Sequence, residues 1–236
     1  MRTQRVFVWC GPVGLAICLI GIVMSDSLPP PAASKTARQM VAFYSTHPDL
    51  KRFGFLLLMY GGAILTPFLG TIAYQLWQGR EIHKLAAFIQ VFFGTALMIE
   101  FVFPPMFLEA AAFRLGRSPD AVLALSDVGW LFYVGMVATF VVEMVLLGLL
   151  ILQDDSTRPV FPKWLGYTNL VCAPISSLGG LCVFFQTGPF AWGGFLSFWV
   201  ALASYGVWTI AMTVVLLRNI GQLEPVALPA PESVLA

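Results

Sequence analysis

The sequence predicts an all-α fold: a polytopic transmembrane helical bundle of six spans, with a short amphipathic helix in the first extracytoplasmic loop. Three observations carry this expectation. Hydrophobic residues make up 58% of the 236 and charged residues only 11%, against about 25% charged in a typical soluble domain. Six apolar stretches each approach the roughly 20 residues that a helix needs to cross the hydrocarbon core. Five of the seven tryptophans (Trp9, Trp77, Trp130, Trp164 and Trp192) fall within a few residues of a stretch end, where indole rings favour the membrane–water interface. Only Trp199 and Trp208 lie well inside.

The spans run near 6–24, 53–77, 85–107, 128–152, 164–185 and 191–217, and together make a single transmembrane bundle over 1–218. The first is too long for a secretory signal and is followed by no small-x-small cleavage site, so it reads as a retained helix. The long outer loop 25–52 opens with Pro29-Pro30-Pro31. Ser34 is placed to cap a helix ending near Tyr44, with Ala37, Met40, Val41 and Tyr44 on one face. Such a helix lies on the membrane surface or lids the bundle; a plain linker with a little helix is the equal alternative. Pro67, Pro104, Pro105 and Pro174 are expected to kink or end their helices. The Pro- and Ala-rich tail 219–236 is expected to be disordered. Six spans put both termini on one side. Seven basic residues fall on that side and six on the other, and the 186–190 connection has none. That asymmetry assigns both termini to the cytoplasm.

Inside lipid, small residues let helix backbones approach closely. Ladders at or near i, i+4 spacing recur: Cys10, Gly14, Cys18; Gly62, Thr66, Gly70; Ala86, Gln90, Gly94; Asn169, Ala173, Ser177, then Gly180; and Ser197, Ala201, Ser204. They predict a compact bundle and are explained by packing alone.

The inventory excludes several function classes. A formal net charge of +1 gives no footprint for nucleic acid. The two histidines, His47 and His83, fall in polar connecting segments, which excludes intramembrane haem or di-iron ligation. The four lysines lie outside the apolar runs, so no Schiff base forms in the bundle. Cys10, Cys18, Cys172 and Cys182 match no zinc or redox spacing and read as small buried hydrophobes. There is no phosphate loop, nucleophile elbow or His-Glu-x-x-His pattern. No cofactor and no metal are expected.

Ionisable residues at membrane depth are costly and call for an account. Glu100 lies about 22 Å along its span from the terminal side. Asp127, near the outer start of the next span, is expected in the same outer layer, sharing a proton with Glu100. Glu143 lies roughly 13 Å from the terminal-side end of its span, with Gln90 and Asn169 some 7–8 Å from that face on neighbouring spans. Thr139 is one turn before Glu143 on the same helical face, and Thr213 reaches a similar depth. An inner polar layer of Gln90, Thr139, Glu143, Asn169 and Thr213 is therefore expected. Asp127 and Glu143 are about 160° apart around a continuous helix, which predicts two polar sites rather than one. Low dielectric favours the neutral form of a carboxyl, and a neutral acid with polar neighbours suits acid–base chemistry or proton-coupled transport. It equally suits a hydrogen bond that staples helices. Phe92, Phe93, Phe101, Phe103, Phe184, Phe185 and Trp199 either line an apolar pocket or face lipid.

Trp9-Cys10-Gly11-Pro12, the Pro29–Pro31 run leading to Phe43-Tyr44, Asp127-Val128-Gly129-Trp130, and Gly188-Pro189-Phe190-Ala191-Trp192-Gly193 with Ser197-Phe198-Trp199 resemble stretches of an uncharacterised group of bacterial six-span integral membrane proteins. The resemblance covers most of the chain. It implies a bacterial cytoplasmic (inner) membrane and no activity. Small membrane-embedded terpene cyclases are similar in size and in using intramembrane acids, with no shared motif.

The leading expectation is an integral membrane protein that binds or transports a small lipophilic or cationic molecule through an intramembrane carboxylate site. Glu143 and Glu100 are the anchors, and Asp127, Gln90, Asn169, Thr139 and Thr213 the supporting candidates. One alternative is a cofactor-free isomerase or cyclase acting on a lipophilic substrate. Another is an accessory subunit whose acids only staple helices. The expected partners are the lipid bilayer and, on these readings, a small lipophilic molecule, a second copy or a partner subunit, but not nucleic acid.

Overall fold

The computed structural model describes residues 2–114 and 116–222. Six passes are made by α1 (Arg2–Met24), α3 (Pro48–Trp77), α4 (Glu81–Phe113), the broken pair α5 (Pro119–Gly135) and α6 (Ala138–Gln153), α7 (Lys163–Ser177), and α8 (Ala201–Gln222). The first loop carries α2 (Ala37–Ser45). The described residues contain no strand, so the chain is an all-α, multi-pass membrane bundle. Passes adjacent in sequence touch one another, and α1 packs against α8 to close the ring.

Helix ends reach further than the apolar runs because interfacial turns hold charge. α3 begins at Pro48, in the first-turn position where proline needs no amide donor, with Asp49 beside it. α4 begins at Glu81, paired to Lys84 at 2.6 Å, and runs through Pro104 and Pro105 to Phe113 rather than stopping near 107. α8 continues to Gln222, so the first residues of the expected tail are helical. Residues 223–236 lie outside the described residues.

Close backbone approach sets the α1–α3 contact. A Cβ on Gly21 would stand 2.6 Å from the Gly54 carbonyl oxygen, and one on Gly14 2.8 Å from that of Gly61. Gly148 and Gly166 join α6 to α7 in the same way, at 3.0 and 3.1 Å. The expected ladder on α3 holds in part: Gly62 meets Phe101 of α4 and Thr66, though exposed, donates to Met98 Sδ at 3.0 Å, but a Cβ on Gly70 would meet nothing within 4 Å. The closest backbone approach is on another face of α3, which carries Gly54 and Gly61.

Three passes depart from α-helical backbone. The fourth breaks between α5 and α6 at Met136–Val137, where the Val137 amide donates to Gly135 at 2.9 Å. The fifth tightens after α7 into a 3-10 segment, Leu178–Phe184, four residues beyond Pro174. The sixth opens as a π-helical segment, Phe195–Val200, before α8. A Cβ on Gly179 would come within 2.8 Å of the Val134 carbonyl, so the first two irregular stretches touch. Ser197 donates to the Leu178 and Phe190 carbonyls, both at 2.9 Å, and ties in the third.

The first loop covers the end of the bundle opposite the termini. Thr36, not Ser34, caps α2, because Gln39 stands three residues on and completes a reciprocal capping box. Met40 and Tyr44 are fully buried, and the Tyr44 hydroxyl donates to Ser126 of α5 at 3.0 Å. Lys51 is buried as well. Its ammonium reaches the Ser25 carbonyl at 3.1 Å and Asp26 at 3.3 Å, and sits over the Phe43 ring at 3.8 Å. The Trp192 indole donates to the Pro31 carbonyl at 2.7 Å, joining the last outer loop to the first.

On the terminal side, His83 is buried with its Nε2 3.1 Å from Asp154. Its Nδ1 accepts from the Arg80 amide at 3.2 Å, so in the neutral ring Nε2 carries the proton. Burial alone would raise the Asp154 carboxyl. Hydrogen bonds from Ser156 and Val160 and the nearby His83 outweigh it and hold the group below its ordinary value of 3.8.

Two outcomes follow. Gly54→Ala puts a methyl against the α1 backbone and lowers stability by about 1–3 kcal/mol, read as a lower melting temperature in detergent. Gly70→Ala, facing open space, does not. A carboxyl depressed in the folded protein stabilises it above the ordinary value, and that contribution is lost as pH falls through the folded value. Asp154→Asn therefore lowers the melting temperature at neutral pH and flattens its decline below about pH 5. An acid limb identical to that of the parent protein contradicts this.

Candidate functional site

Two of the three irregular segments line one cavity of about 110 Å³. Met136 and Val137 of the break, Ser197 of the π segment and Ser176 at the end of α7 all face it. Non-helical backbone at membrane depth is tolerated where protein buries it or where it lines a cavity, and π segments recur at functional sites. Cys18 of α1 and Glu100 of α4 complete the polar part of the wall, together with Tyr133 and Tyr205.

Glu100 is almost fully buried and accepts a hydrogen bond from the Thr139 hydroxyl, in the first turn of α6. The Tyr205 hydroxyl is buried and has no hydrogen-bond partner. An unmet buried hydroxyl costs about 1–3 kcal/mol, and Tyr205 is one of the residues that line the cavity. The remaining walls are aromatic. Phe101 and Phe140 pack on Tyr205 with ring centroids 5.5 and 5.1 Å apart, and Tyr205 stacks on Trp208 at 6.0 Å. Trp208 is held by a hydrogen bond from its indole N–H to Asn169 Oδ1 at 3.0 Å. The side between α1 and α8 is formed by the half-buried Leu15, Leu19 and Leu202.

The sequence-derived candidates separate into distinct places. Glu100 and Thr139 meet each other, and Glu143 meets Gln90, whose amide donates to its carboxyl. Thr139 thus serves Glu100 and not the inner layer. Asn169 is occupied by Trp208 and by its own bond to the Leu165 carbonyl at 2.8 Å. Thr213 donates to Thr209 at 2.7 Å within α8. The expected inner layer of five residues therefore reduces to the Gln90–Glu143 pair.

The expected Glu100–Asp127 pair does not form. Gly129 packs against Leu108 and Pro104, so Asp127 is level with the outer part of α4, beyond Glu100. It is half-buried and does not line the cavity. The cause is register: α4 runs past the boundary that its hydropathy sets. The estimate of 160° around one helix also lapses, because the pass is broken between Asp127 and Glu143. Two polar sites remain, with other members.

Of the aromatic residues expected to line a pocket, Phe101 does so, and Phe93 borders a separate groove beside Glu143. Phe92, Phe103, Phe184, Phe185 and Trp199 are exposed on the outer surface. Tyr133 and Tyr205 stand outside the sequence-derived candidates. For Tyr205 the signal in the sequence is position, mid-span and away from the interface where tyrosine is enriched; Tyr133 becomes mid-span only because its pass starts at Pro119 rather than near 128.

No protein-family model, no curated protein and no solved structure matches the chain. The site is therefore read from its own geometry.

Thr139→Val removes the donor to a buried carboxyl and should destabilise the protein by about 1–3 kcal/mol. Thr139→Ser keeps a hydroxyl and should recover most of the loss in thermal unfolding. Equal melting temperatures for the valine and serine variants would show that the Thr139–Glu100 bond contributes nothing.

Proposed function

We propose that this integral membrane protein binds a small lipophilic molecule carrying one polar or cationic group, with Glu100 as the anchor in the central cavity. One observation carries the reading: the break at Met136–Val137 and the π segment both line an aromatic-walled cavity whose wall includes a carboxyl and a tyrosine with an unpartnered hydroxyl. Apolar walls with a few convergent polar groups fit such a ligand. The volume bounds its anchored end. A cavity of about 150 Å³ takes a benzene ring, so one of about 110 Å³ takes a smaller group or part of a ring. The rest of a longer guest extends between α1 and α8, past Leu19 and Leu202.

Glu100 has a neutral hydroxyl as its partner rather than a fixed cation. It is thus free to trade a proton for a cationic guest, which is the basis of proton-coupled transport. We place the protein in a bacterial cytoplasmic membrane, as the resemblance of its motifs implies, with both termini inside because the outer 186–190 connection carries no basic residue.

Native mass spectrometry of the protein released from nanodiscs tests the reading directly. The parent protein should carry a small non-phospholipid molecule. Glu100→Gln and Tyr205→Phe should each lower its occupancy by about tenfold, the worth of one hydrogen bond to a charged or buried group. A parent protein that carries nothing, or an occupant retained equally by both variants, sinks the reading.

A further inference from the structure

The second acid belongs to a different site. Glu143 is 1% exposed. One carboxyl oxygen accepts from the Gln90 amide, and the other, Oε2, is buried without any partner. This carboxyl forms the floor of a groove of about 180 Å³ between α4 and α6, separate from the central cavity. The rims of the groove are apolar and face outward: Ile82 and Leu85 are each 55% exposed and Leu146 46%. Glu143 lies about 15 Å up α6 from its terminal-side end, so the rims at Ile89 and Leu146 stand among acyl chains, while Ile82, beside Glu81 in the first turn of α4, marks the interfacial end of the groove.

We propose that this groove is a lateral binding site for a lipophilic amine that arrives from the bilayer, with the amine nitrogen at Glu143 Oε2. Access selects the lipophilic part, because a guest that reaches the rims must already be dissolved in lipid. The carboxyl selects the amine. If Glu143 is neutral, Oε2 carries a proton that needs an acceptor; if it is ionised, Oε2 needs a donor. An amine meets both cases, since the pair O–H···N and O⁻···H–N⁺ differ only by transfer of one proton. An alcohol can accept or donate but takes no charge, and a quaternary ammonium has no N–H. The groove shares no lining residue with the central cavity, although the two carboxyls are near enough for their charges to interact, and the proposal does not rest on the reading of Glu100.

Carbodiimide labelling tests this on the unmodified protein in phosphatidylcholine nanodiscs. Dicyclohexylcarbodiimide takes the proton of a carboxyl on nitrogen. The carboxylate oxygen then adds to its central carbon, and the acyl group shifts to nitrogen, leaving a stable N-acylurea heavier by one reagent molecule. Peptide mass spectrometry should find this adduct on Glu143. N,N-dimethyldodecylamine, which forms no stable amide, should reduce that adduct by about tenfold. Dodecanol and dodecyltrimethylammonium should not. In Glu143→Gln the adduct should vanish from this peptide, while in Glu100→Gln it should persist with the same amine protection. Absence of labelling on Glu143 overturns the proposal, as does protection by dodecanol or the quaternary salt equal to that by the amine.

Discussion

Acyl chains offer no hydrogen bonds, so every break in a transmembrane helix must be satisfied by protein or turned toward an enclosed space. This constraint organises the bundle. The break at Met136–Val137, the 3-10 segment Leu178–Phe184 and the π segment Phe195–Val200 each leave α-helical pairing. Any one alone, facing lipid, would cost several kcal/mol. Gathered on the inner side of three neighbouring passes, they satisfy one another through Ser197 and pack where Gly179 permits close approach.

Placing acids beside that space follows the same logic. Neither Glu100 nor Glu143 has a lysine or arginine as its hydrogen-bond partner; each is met by one neutral donor, Thr139 or Gln90. A buried charge without a counter-ion is expensive, and a carboxyl that can take up a proton avoids that expense. A staple between helices needs its polar atoms matched. Here the Tyr205 hydroxyl and one oxygen of Glu143 are buried without partners, whereas the Trp208 indole is matched by Asn169.

The first loop gives the bundle a closed end. Tyr44 and Met40 enter the core beside Trp130, Phe198 and Trp192, and Lys51 fixes the start of the loop to the start of α3. A lysine in that position is desolvated, but two oxygens and an aromatic face replace its water. With this end covered, the least buried parts of the cavity wall are Met136 at the break and the half-buried leucines between α1 and α8.

Hydropathy and tryptophan placement alone determined six passes and a shared side for the termini, because burial in lipid is a sum over about 20 residues that tolerates error at its ends. The amphipathic pattern likewise made the α2 face legible at Met40 and Tyr44, although the cap fell on Thr36 through a partner three residues away. Which acid meets which partner depends on register and rotation, and those respond to single residues: α4 extended past Pro105, one pass broken at Val137, Gly54 rather than Gly70 at a crossing. A shift of one residue turns a helical side chain by about 100°, so Glu100 joined Thr139 and not Asp127 for reasons that lie in the packing of other helices. That pairing, and the tyrosine hydroxyl beside it, belong to the tertiary structure.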